Sequence, residues 1–279
     1  MRDNVADSKC FSRNRWLLLL FVLHLSQPCD SAATSIVCIR SPDSIVLAAD
    51  SMLTIKHSAG SEMFLRECKI HRTGDIVFAL AGFCKDPSQG YDLLELVADT
   101  IRADMTLLDA AEAVENVVSA NLRNELVKLK SESPELFSKY VKGRTGKLVK
   151  ILLTRYEDGV PKVAFLGFSE VESPSGEIFI RAERTSCPGD CKPQSVSAFF
   201  MTDKAAIDQY LNNGGKLDWL APEKAAKKLV ELVIEGRAPG VGPPVDVLRI
   251  DGNGVVWVER KPECPDYDDS ETNYRDFDR

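Results

Sequence analysis

The stretch Thr34-Ser-Ile-Val-Cys-Ile-Arg-Ser-Pro-Asp-Ser-Ile-Val-Leu-Ala-Ala-Asp50 holds two short apolar runs, Ile36–Ile39 and Ile45–Ala49. Both are rich in β-branched residues, and the turn residues Ser41-Pro-Asp-Ser44 part them. Such a pattern predicts a hairpin of core strands. A second pair follows. Glu67-Cys-Lys-Ile-His71 leads through an Arg72-Thr-Gly74 turn into Asp75-Ile-Val-Phe-Ala-Leu-Ala-Gly82.

Past this point the apolar period lengthens. Leu93, Leu94, Val97 and Ile101 recur at helical spacing within Tyr91–Ala103. Thr106 and Asp109 read as a capping box that opens a second helix, with Leu107, Leu108, Ala111, Val114 and Val118 on its apolar positions and an end near Lys130. Strands return at Lys147–Thr154 and Lys162–Phe168, around the turn Tyr156-Glu-Asp-Gly159, and again at Gly176–Glu183. Two more helices are expected, at about Asp203–Asn212 and at Pro222–Glu235, the latter with proline in its first turn. A last hairpin joins Val245–Ile250 to Val255–Glu259 through Asp251-Gly-Asn-Gly254. Strand pairs thus alternate with helix pairs. A doubly wound sheet needs single alternation, so the order predicts an α+β fold of two sheets, face to face, with a helix pair outside each.

Upstream of Thr34 the sequence changes character. Arg2, Lys9, Arg13 and Arg15 precede the apolar run Trp16–Leu25, and Cys29-Asp-Ser-Ala-Ala33 follows it. A basic segment, a short apolar core and small residues before a cut after Ala33 form the pattern of a secretory signal. The apolar run is half of the roughly 20 residues that a membrane span needs, so residues 1–33 read as a cleaved signal rather than an anchor. The expected mature chain is secreted or periplasmic, without a membrane segment, and begins at Thr34. About 245 residues then remain, of which 34–261 read as one domain. Residues 262–279 hold seven acids and two arginines without periodicity, and read as a disordered acidic tail. That tail carries most of the net charge of −7, so nothing points to a nucleic-acid partner.

Six cysteines lie beyond the signal: Cys38, Cys68, Cys84, Cys187, Cys191 and Cys264. Export permits disulfides. The turn Cys187-Pro-Gly-Asp-Cys191 is the favoured pair, while Cys38, Cys68 and Cys84 sit in apolar contexts that suit plain buried residues. A metal site at Cys187 and Cys191 lacks nearby histidines and a second cysteine pair. Neither a metal nor a cofactor is expected.

A threonine uncovered at a chain's N-terminus carries nucleophile and base on one residue. Its α-amine has a reference pKa of about 7.7–8, and the neutral amine can take the hydroxyl proton directly or through a water. A neighbouring lysine ammonium lowers that pKa further, and a buried carboxylate would hold such a lysine in place. Asp50 ends one core strand and Lys69 lies within the next strand segment, so both can converge on Thr34. Taken singly, Thr34 also suits the start of a strand and Asp50 a turn.

Thr34-Ser-Ile-Val, with Asp50 sixteen residues on in Val46-Leu-Ala-Ala-Asp-Ser51, resembles the start of a proteasome β-type subunit. So does Cys68-Lys-Ile70 leading into Ile76–Gly82. These subunits and the HslV-type proteases belong to the N-terminal nucleophile (Ntn) hydrolases. The resemblance is specific over residues 34–86 and architectural beyond them. It implies a four-layer αββα sandwich with Thr34 as nucleophile, Asp50 and Lys69 as its carboxylate and lysine, and Gly82 as the oxyanion-binding glycine.

Three features depart from that pattern. The chain between Thr34 and Lys69 is about three residues longer. The family's Arg-Asp-x-x-Ser-Gly segment corresponds to Gly236-Arg-Ala-Pro-Gly-Val-Gly-Pro-Pro244, which keeps Arg237 but has neither that Asp nor that Ser. A Gly-Ser-Gly loop is not evident near Gln194–Met201. Two functions follow as expectations. One is an exported threonine-type hydrolase of peptide or small amide bonds. The other is an inactive, proteasome-subunit-like module for binding or assembly. Ring or homo-oligomer formation is left open by the sequence.

Overall fold

In a computed structural model, which describes residues 34–56, 62–86, 91–142 and 146–265, the opening hairpin forms between β1 (Ile36–Arg40) and β2 (Ser44–Asp50). Every residue of both strands is buried, which explains why their sequence runs apolar without alternation: each face meets a core. Flanking β1 is β12 (Ser197–Phe200), and flanking β2 is β13 (Val245–Asp251), which pairs in turn with β14 (Gly254–Glu259). This gives an antiparallel sheet in the order β12-β1-β2-β13-β14.

The second sheet has the order β11-β10-β9-β6-β5, also antiparallel. Its strands are β5 (His71–Thr73), β6 (Ile76–Gly82), β9 (Val149–Glu157), β10 (Val160–Glu172) and β11 (Ile178–Cys187). Strand alternation divides β6 between two cores. Val77, Ala79 and Ala81 join Ile36, Leu47, Leu152 and Leu248 in a cluster shared by the two sheets. Ile76 and Phe78 point the other way, into a cluster with the helices.

Those helices are α1 (Leu93–Thr100) and α2 (Leu107–Glu132). The expected capping box is present: Thr106 Oγ1 accepts from Asp109 N at 3.2 Å, while Asp109 Oδ2 accepts from Thr106 N at 3.4 Å. One face of α2, through Ala110, Ala111, Val114, Val118, Leu122 and Leu126, is buried against β9–β11. A short α3 (Pro134–Phe137) and a π turn at Ser138–Lys142 follow. Pro134 lacks the N–H to extend α2, which ends at Glu132. The other sheet carries α4 (Ala205–Asn212) and α5 (Pro222–Glu235). Ala226, Leu229, Val230 and Val233 of α5 pack with Val37, Val46, Ala48 and Val247. The fold is mixed α+β, with antiparallel sheets. Among the described residues, the buried apolar side chains form three clusters.

Some elements were not expected. A hairpin of β3 (Met52–Lys56) and β4 (Glu62–Arg66) fills the stretch between Asp50 and Cys68, and a small ladder joins β7 (Lys85–Asp86) to β8 (Tyr91–Asp92). β12 has only four residues, too few for a periodic signal. Lys69 lies just before β5 rather than within a strand.

The cysteines also differ from expectation in one respect. Cys187 and Cys191 are bonded, as their turn suggested, with Cα atoms 5.0 Å apart. Cys68, read as a plain buried residue, is instead bonded to Cys264. The folded body therefore extends past residue 261, where the acidic tail was expected to begin. Trp257 Nε1 donates to the Pro265 carbonyl at 3.1 Å. Residues 1–33 and 266–279, with the expected signal and most of the tail, lie outside the described residues.

Candidate functional site

Antiparallel pairing brings several chain segments to one end of the first sheet. The register Ile36↔Ala49 and Val245↔Asp50 sets the start of β1, the end of β2 and the start of β13 side by side. Asp50 N donates to the Ser35 carbonyl at 3.0 Å, continuing the ladder toward Thr34. The Asp50 side chain then turns back on the same residue, accepting from Ser35 N at 2.8 Å through Oδ1. Thr34, partly exposed, is the next residue along.

Lys69 reaches this carboxylate from outside the sheet. Its Nζ donates to Asp50 Oδ1 at 2.8 Å. Oδ2 accepts from Met52 N and from Gly242 N, each at 3.2 Å. Asp50 is fully buried and Lys69 is 7 % exposed. An ionised carboxylate is tolerated so deep only when partners satisfy it, and here four donors do. Burial pushes the Lys69 pKa below the usual lysine value, and Lys261 adds to that effect, while the charges of Asp50 and Glu67 work against it. Glu67 is moved the other way, upward, chiefly by burial.

A second charged group lies beside the first. Lys261, 4 % exposed, forms an ion pair with Asp246, 1 % exposed. Lys261 N also donates to Asp246 Oδ1 at 2.9 Å. Ser51, wholly buried, stands between this pair and the Asp50 loop. Its hydroxyl accepts from Lys261 Nζ at 2.7 Å and lies 2.7 Å from the Pro244 carbonyl and 3.1 Å from Asp246 Oδ2. Its backbone N–H donates to the Gly242 carbonyl at 3.1 Å, and its carbonyl accepts from Glu67 N at 2.9 Å.

Gly82 ends β6 in the second sheet. Lys69 precedes β5, which runs antiparallel to β6, so Gly82 and Lys69 lie toward the same end of that sheet. Since Lys69 bonds to Asp50, that end meets the end of the first sheet where Thr34 sits. Gly82 is not part of the hydrogen-bond network around Asp50. A packing reason for glycine exists regardless of chemistry: φ is +111°, and a Cβ would fall 2.0 Å from the Leu148 carbonyl oxygen.

Asp50 and Lys69 are thus joined directly, Thr34 adjoins them through Ser35, and Gly82 stands in the facing sheet. The structure adds Ser51, Gly242, Asp246 and Lys261, none of which the sequence reading proposed. Asp246 left a trace, being an acid inside the apolar strand Val245–Ile250, where an unpaired carboxylate is rare. Lys261 left none, because Glu259-Arg-Lys-Pro262 reads as a solvated charge run. The Gly236–Pro244 stretch supplies Asp50 with a backbone donor, Gly242 N, where a side-chain Asp and Ser were sought. Among the described residues, no helix is long and apolar enough to cross a membrane. Neither models of known protein families nor curated proteins match this chain.

Proposed function

We propose that the chain is an exported threonine-type hydrolase of the Ntn class, built as a four-layer αββα sandwich, with Thr34 as its nucleophile. The observation that carries this reading is the buried Asp50–Lys69 pair, bonded at 2.8 Å and anchored to the backbone of Ser35, the residue after Thr34. A salt-bridged lysine at that place has no surface role.

In the intact precursor, Thr34 N is a peptide amide and has no basicity. Signal cleavage after Ala33 makes it an amine. The Thr34 hydroxyl then attacks the carbonyl of a peptide or small amide, and the new amine takes its proton. Lys69, fixed by Asp50, provides positive charge that keeps the amine neutral near pH 7. The Gly82 N–H is assigned to the developing oxyanion. The protonated amine then passes that proton to the departing amine as the C–N bond breaks, which leaves an acyl ester on the Thr34 oxygen. Water, deprotonated by the same α-amine, hydrolyses that ester to free the acid and restore the hydroxyl. No cofactor enters these steps.

The test is amidase activity of the processed protein against a panel of fluorogenic peptide amides. Wild type is expected to turn over at least one, and Thr34→Ala none. Equal activity of both removes the proposal. A second reading, a catalytically inactive subunit-like module, is favoured by one observation: Gly236–Pro244 offers neither the Asp nor the Ser that active relatives of this type carry. Labelling of Thr34 by a peptide epoxyketone or β-lactone excludes that reading.

A further inference from the structure

Two buried lysine–aspartate pairs at one sheet end are more than the proposed chemistry uses. Asp50–Lys69 is assigned to Thr34; Asp246–Lys261 is not. Stability is a weak explanation for the second pair, because buried ion pairs contribute little over well-packed apolar residues of the same volume. Its location is more informative. Lys261 Nζ donates to Ser51 Oγ at 2.7 Å, and Ser51 is the residue directly after Asp50. Through its backbone Ser51 holds Gly242, whose N–H is bonded to Asp50, and Glu67, two residues before Lys69. Ser51 therefore bonds to the second pair through its hydroxyl and to both chain segments that present the first through its backbone.

The placement of Lys261 is itself enforced. The Lys261 carbonyl accepts from Cys264 N at 3.1 Å, closing a turn, and Cys264 is bonded to Cys68, the residue before Lys69. The segment after β14 thus crosses from the edge of the first sheet to the approach of β5, with Lys261 fixed between.

We propose that Lys261 is a positioning residue for the Asp50–Lys69 pair, acting through Ser51 and paired with Asp246. It touches no substrate. It sets where the Asp50 loop and the Lys69 segment stand relative to Thr34, and so the rate at which Thr34 reacts once a ligand is bound. This rests on the hydrolase reading above, and the test separates the two.

The probe is a peptide epoxyketone, applied to the processed protein that begins at Thr34. The maximal rate of Thr34 labelling and the probe's half-saturating concentration are measured separately. Two variants are compared with wild type. Ser51→Ala keeps the Lys261–Asp246 pair but removes the hydroxyl that links it to the Asp50 loop. The double variant Lys261→Met with Asp246→Leu replaces the pair without leaving a buried charge. Both are expected to lower the maximal rate about tenfold or more, the scale for a small misplacement of reacting groups, with half-saturation unchanged. Circular dichroism confirms which variants are folded, and Ser51→Ala alone decides the matter if the double variant does not fold. A folded Ser51→Ala labelled at the wild-type maximal rate overturns the positioning role and leaves the hydrolase reading intact. Wild type that is not labelled at Thr34 overturns the hydrolase reading, and this role with it.

Discussion

Lys69 is an ammonium-bearing side chain with 7 % of its surface exposed and the Asp50 carboxylate at 2.8 Å. Its identity was legible in sequence because lysine in an apolar stretch is uncommon, and Asp50 because it closes a strand of otherwise apolar residues. The partners that fix them were not legible. Ser35 N, Met52 N and Gly242 N are backbone donors, and any residue but proline supplies one. His71, two residues past Lys69, gives a prediction at the same scale. Its ring packs on Phe78 with centroids 5.6 Å apart, and burial pushes its pKa down from 6.5 to about 4. The unfolded chain takes up this proton near pH 6.5 and the folded chain only near pH 4. Acid therefore favours the unfolded state across that window, and the stability present above pH 6.5 is lost as pH falls toward 4. Urea midpoints at pH 7 and 4.5 are expected to differ more in wild type than in His71→Gln.

Among elements, α2 and α5 were read within a few residues of their bounds, because each has an apolar face of helical period and a start signal. The α2 cap is a measurable case. Thr106→Ala removes the acceptor for Asp109 N and is expected to cost about 1 kcal/mol in urea unfolding. The strands of the first hairpin were equally clear, since burial on both faces leaves an unbroken apolar run. β3, β4 and β12 were not, because short strands with mixed residues look like loop until a partner strand is known. Gly82 belongs to this scale as well. At φ +111°, with the Leu148 oxygen where a Cβ would sit, Gly82→Ala is expected to destabilise by about 3 kcal/mol or more. Unfolding midpoints of the variant check this, and a variant as stable as wild type contradicts the placement of β6 against β9.

Alternating strand and helix pairs indicated an α+β fold with two sheets, and two antiparallel five-stranded sheets with helices agree with that class. The folded body runs past residue 261: Cys264 lies in a polar, acidic stretch of sequence, yet it is buried and bonded to Cys68. That bond spans 196 residues. Closing so long a loop restricts the unfolded chain strongly, so Cys264→Ser is expected to lower stability by about 2–5 kcal/mol. Thermal unfolding of wild type with and without reductant provides the control, and the variant should not respond further to reductant through this pair.

The proposed chemistry depends at every step on a free amine at Thr34. Edman sequencing of the protein recovered after export is its most direct measurement. Threonine is expected in the first cycle, followed by Ser, Ile and Val. A mature chain that starts upstream of Thr34, or at Ile36 beyond it, rules out Thr34 as an N-terminal nucleophile, because the first keeps the amine bound in a peptide and the second removes the threonine.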